Sequence, residues 1–86
     1  MDTPITSAQA FGSRVRAHRK RLNMTQRELA LATNVGERFI VNLEQGKETC
    51  QLGKALRIAK AVGLRLVEGG ADRPGGAGGY DLDLSR

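Results

Sequence analysis

Tryptophan is missing from these 86 residues, and two Phe and one Tyr are the only other aromatics. A core built on large rings is therefore excluded, and Leu, Val, Ile and Ala must supply what is buried. A single cysteine, Cys50, rules out an internal disulfide and gives no reason to expect an oxidising compartment. With His18 and Cys50 as the sole His and Cys, a multi-ligand His/Cys metal site or a Cys-His pair has no support. No metal, no cofactor and no catalysis are expected. No run approaches the ~18 apolar residues of a membrane helix. Met1 to Gln9 also lacks the basic start and apolar stretch of a secretory signal. The expectation is a cytoplasmic chain with no membrane partner. Acidic residues are the minority: residues 1–68 hold 12 Lys/Arg against 6 Asp/Glu, whereas 69–86 hold 2 against 3. A basic body suits a polyanion, nucleic acid first, although charge alone does not identify the partner.

What is present reads as one small, mostly helical domain, near the lower end of what folds unaided and often helped by dimerising. Residues 1–6 are expected to form a flexible arm and 7–68 the folded domain. Residues 69–86, with six of the eleven glycines, form a flexible tail. Its YDLDL segment is either a docking peptide or part of a tail without a partner. Ser7 is a plausible N-cap for a first helix over Ala8–Leu22, with Phe11, Val15 and Leu22 as its apolar stripe. Gly12 costs that helix about 1 kcal/mol of propensity relative to Ala, so its start is expected to fray.

Thr25 and Glu28 have the T-x-x-E spacing of a capping box, which opens a second helix over Gln26–Ala32. Thr33-Asn34-Val35-Gly36 supplies a turn, because Asn tolerates a left-handed backbone. A third helix follows over Glu37–Leu43, burying Ile40 and Leu43, and Gly46 is placed to end it. Two short helices joined by a tight turn make a helix-turn-helix, whose second member can lie in a DNA major groove. A fourth helix over Gln51–Val62 is expected to bury Leu52, Leu56, Ala59 and Val62, with Ala55 and Ile58 beside them. Leu64-Arg65-Leu66-Val67-Glu68 alternates and reads as a short strand. A lone strand is unstable without a partner, so Leu64, Leu66 and Val67 are expected to clasp the same strand of a second copy.

Residues 14–63 resemble the Xre, or lambda-repressor-like, helix-turn-helix family. The matching motifs are L-x-x-T-Q-x-E-L-A at Leu22–Ala30, V-G-x-x-x-I-x-x-L-E-x-G at Val35–Gly46 and L-x-K-A-L-x-I-A-K-A-V-G-L at Leu52–Leu64. More narrowly, RFIVNLEQGKETCQLGKALRIAKAVGL followed by a short strand is similar to HipB-type antitoxins. The resemblance implies an all-α, four- to five-helix DNA-binding domain with a C-terminal dimerisation strand. It further implies a homodimeric repressor of double-stranded operator DNA that partners a HipA-like Ser/Thr kinase toxin. A stand-alone repressor, or a module that binds mainly a protein partner, keeps the same fold.

Gln26, Gly36, Glu37, Arg38, Phe39, Asn42 and Lys47 form the expected DNA-contacting set. Arg38 and Asn42 are four apart and share one helix face; Arg suits guanine O6 and N7, Asn suits adenine, and Glu37 can accept from cytosine N4. The plainer alternative for Glu37 is the acid that complements the helix dipole. Phe39 is either in contact with a thymine methyl or packed on the core. The family places a Gln at the Gln26 position against the DNA backbone or adjacent bases. Lys47, with Arg14, Arg16, Lys20 and Lys54, is a candidate for phosphate neutralisation, which fixes register without reading sequence. Arg19 falls four residues after Val15 and so faces inward. The family commonly pairs the Arg19 and Glu44 positions in a buried, structural salt bridge.

Overall fold

The computed structural model describes residues 4–68. The tail expected over 69–86, its YDLDL segment and the first three residues of the arm lie outside the described residues. Four helices follow one another: α1 Ala8–Arg21, α2 Gln26–Thr33, α3 Glu37–Glu44 and α4 Leu52–Ala61. The domain is all-α and lambda-repressor-like.

The first two helices start on side-chain caps. Ser7 is extended and its side chain accepts a hydrogen bond from the Ala10 amide at 3.0 Å, capping α1. At α2 the capping box closes in both directions: the Glu28 amide donates to Thr25 Oγ1 at 3.0 Å, and the Thr25 amide to Glu28 Oε1 at 2.8 Å. All four helices then end alike. Asn23 and Asn34, both at φ 59°, and Gly46 and Gly63, at 88° and 78°, turn left-handed just past the last turn. The following amide reaches back in every case, from Met24 to Arg19 O, Val35 to Ala30 O, Lys47 to Asn42 O and Leu64 to Ala59 O. Carbonyls that a helix end would leave unpaired are thus satisfied by the turn itself.

The core is aliphatic. Val15, Leu29, Ala30, Ile40, Leu43, Ala55, Ile58, Ala59, Val62 and Leu64 are buried, with Phe11, Met24, Val35, Phe39 and Cys50 packed around them. Fully burying a Leu, Ile or Val contributes about 1.5–3 kcal/mol each. α3 lies at the centre of the helix-turn-helix, against both α1 and α2, and α4 closes α2 from the far side. Ile5 also packs against the core, so this part of the expected loose arm is folded down.

Several expectations are corrected. Leu22 does not complete the α1 stripe; it sits at the C-cap and is 51% exposed, because the chain has already turned away. Leu52 and Leu56 are 69% and 45% exposed; Ala59 and Val62 are buried as expected, and Ala55 and Ile58 complete the buried face of α4. Gly12 is no weak point. A Cβ there would lie 2.1 Å from the Leu43 carbonyl oxygen and 2.9 Å from that of Glu44. Its lack of a side chain is what lets α1 cross the end of α3. Residues 64–68 form no strand among the described residues, since a strand requires a ladder partner and the single chain offers none. Leu64, assigned to the intersubunit clasp, is only 5% exposed and belongs to its own chain's core.

Candidate nucleic-acid interface

The turn between α2 and α3 is set by Asn34, and Gly36 gives α3 its N-cap with no side chain over the helix end. Glu37 and Arg38 stand exposed on the first turn of α3, and Asn42, one turn after Arg38, is half-buried. Spacing of four places Arg38 and Asn42 on one face. Glu37 also carries the acid of the first turn, where it complements the helix dipole. Phe39 packs against the core, and Lys54 Nζ lies 5.6 Å from its ring centroid. That pair is within cation–π range, so Phe39 is held from α4 and its packing role is the one the geometry displays. Lys54 is half-buried over the ring and is correspondingly less available to a phosphate.

Lys47 follows the left-handed turn at Gly46. Its amide donates to Asn42 O at 3.0 Å and its carbonyl accepts from Cys50 Sγ at 3.3 Å. The backbone is therefore fixed while the ammonium stays exposed. Arg16 and Lys20 on α1 are exposed as well, and Arg14 is half-buried.

Behind this face lies a polar network. Arg19 Nε donates to Glu44 Oε2 at 2.6 Å and Nη2 to Oε1 at 3.0 Å, a two-pronged pair with both residues 7% exposed. Arg19 Nη1 donates to the Met24 carbonyl at 2.7 Å, at the entrance to α2. Gln26 Nε2 donates to Glu44 Oε1 at 3.1 Å. One carboxylate thus joins α1, the start of α2 and the end of α3. The link from Gln26 to Glu44 was not legible in the sequence, because it needs the packing of α2 on α3 to be known. Gly12 carried a readable signal: it shares the inward face of Val15 and Arg19, and a glycine on such a face marks a close approach. Two further ties, Arg57 Nη1 to Thr33 O at 3.0 Å and His18 Nδ1 with Val62 O at 3.2 Å, brace α2 and α1 against α4 and its end.

An open groove of about 1010 Å³ is lined by the apolar Ile5, Phe11, Leu52, Leu56, Leu66 and Val67 together with the charged Arg14, Lys47, Glu48, Arg65 and Glu68. The leucines that α4 leaves exposed are therefore gathered with Leu66 and Val67 in one groove, with charged side chains among them. No helix among the described residues is long and apolar enough to cross a membrane.

The helix-turn-helix family model matches residues 15–68. An uncharacterized HTH-type transcriptional regulator of Sinorhizobium fredii is 50% identical over 62 residues, covering 72% of this chain and 82% of the relative. One from Methanothermobacter thermautotrophicus is 43% identical over 54 residues, covering 63% and 78%. Among solved structures, a HipB variant in an O2 20mer complex superposes with a TM-score of 0.72 at 20% identity, covering 79% of this chain and 94% of that one. A HipB–O4 20mer complex gives 0.71 at 21% identity, with 78% and 94% covered. The fold is that of HipB, and the chain belongs to the Xre-like helix-turn-helix family.

Proposed function

We propose that this chain binds double-stranded operator DNA as a homodimer and represses transcription, acting as the autoregulating antitoxin of a HipA-like Ser/Thr kinase. The observation that carries the DNA reading is the exposed face of α3. Arg38 stands there beside Glu37, with Asn42 one turn on and Lys47 just past the helix end. Arg and Asn are the side chains that pair two-pronged with guanine and adenine edges, and Lys47 is placed for a phosphate. The regulator names carried by the Sinorhizobium and Methanothermobacter relatives support the same reading. The dimer is supported by the groove that joins Leu52 and Leu56 to Leu66 and Val67. The kinase partner rests on the likeness to HipB in sequence motif and in fold. No catalytic role is assigned.

The deciding experiment is a salt titration of binding to the DNA upstream of the chain's own gene. The expected result is an affinity that falls linearly with salt on logarithmic axes, as released counterions require. Salt-insensitive or absent binding would leave a protein-interaction module. A kinase encoded next to this chain, whose product is retained by the purified protein, separates the antitoxin from a stand-alone repressor.

A further inference from the structure

We propose that Glu44, held in place by Arg19, is the positioning residue that sets which edge of the Gln26 amide faces DNA. This rests on the DNA-binding reading above. Glu44 Oε1 receives two donors, Arg19 Nη2 at 3.0 Å and Gln26 Nε2 at 3.1 Å. Both Glu44 oxygens thus receive donors, two from the Arg19 guanidinium, and act as acceptors. The Gln26 atom turned inward must therefore be the nitrogen. Turning the amide over would set its carbonyl oxygen against a carboxylate oxygen. The carboxylate itself cannot swing away, because Arg19 Nε grips its other oxygen at 2.6 Å and Arg19 Nη1 is anchored on the Met24 carbonyl at 2.7 Å.

What Gln26 keeps for a ligand is its carbonyl oxygen and one remaining N–H. An acceptor beside a donor is the combination that meets adenine N6 and N7 together, whereas a phosphate oxygen can use only the N–H. A long amide held this way also loses less conformational freedom on binding than one free in solvent. The buried pair is thus more than a spacer between α1 and α3: it presets a contact of α2 whose chemistry depends on orientation.

The test is a mutant cycle on DNA affinity, using the full chain and the DNA fragment it protects. Gln26→Ala is compared in the unaltered chain and in Arg19→Met/Glu44→Met, which fills the buried space without charge and removes the acceptor of Gln26. Gln26→Ala is expected to weaken binding about tenfold in the first background and less than about twofold in the second. A general loosening of the fold cancels in this comparison, so a merely structural role for Glu44 predicts the same tenfold loss in both, and that outcome overturns the proposal. Should the two-methionine chain fail to fold, Arg19→Leu/Glu44→Leu replaces it, a shorter apolar pair that likewise removes the acceptor of Gln26. Undiminished loss on Gln26→Ala in that background is equally fatal. Failure of the unaltered chain to bind DNA at all is read first and removes the functional reading itself.

Discussion

Single residues divide here between those that read and those that hold. Arg38, exposed on α3, is expected to discriminate one base pair, and Lys47 to contact a phosphate. Arg38→Ala should therefore relax specificity at one operator position at a cost of about 1–3 kcal/mol. Lys47→Ala should weaken all sequences alike and lower the salt slope by about 1. Binding measured across single-base operator variants checks both; equal loss across sequences for the two mutants would remove Arg38 as a reader. Glu44 and Arg19 hold. Glu44→Ala leaves a guanidinium buried without its partner and should cost about 3–5 kcal/mol of folding stability, read by urea denaturation. Gly12→Ala gains about 1 kcal/mol of helix propensity. It also drives a methyl into the Leu43 and Glu44 carbonyls, and crowding of that kind costs about 1–3 kcal/mol or more. The net expectation is a lower melting temperature, and a melting temperature raised by Gly12→Ala would contradict the close approach.

At the scale of elements, Leu66 and Val67, the exposed residues of the proposed clasp, line the groove. Leu66→Asp with Val67→Asp should convert dimers to monomers and weaken operator binding, while helical content stays unchanged. Sedimentation and circular dichroism report the two separately, and a variant that remains a tight dimer would refute the clasp. Cutting the chain after Gly63 would be a poorer experiment, since it also removes the core residue Leu64. The helices themselves were legible to within a residue or so at each end. Their signals are local: Ser7, the Thr25–Glu28 box and the Asn and Gly stops act on backbone groups only a few positions away. What was not legible depends on distant partners. Periodicity marks an apolar arc on α4 but cannot say whether Leu52 or Ala55 faces α2. Propensity charges Gly12 for its flexibility without seeing the carbonyls of Leu43 and Glu44 against it. Gln26 was readable as a polar residue opening α2, not as a ligand of Glu44.

For the whole molecule, a twofold pair of recognition helices should require an operator of roughly palindromic sequence, its half-sites about one helical turn apart. Inserting half a turn of DNA between half-sites should abolish tight binding, as gel shift would show. Indifference to spacing would argue for independent monomers. The shared left-handed endings of the four helices bear on something else, the speed at which the chain finds its fold. Each ending at Asn23, Asn34, Gly46 and Gly63 is closed by the main chain alone, so the direction in which one helix leaves another is set before any tertiary contact forms. The conformational search then reduces to docking short, pre-aimed segments with little loop entropy to overcome. Refolding after dilution from urea should complete on the microsecond-to-millisecond scale of helical bundles rich in local contacts.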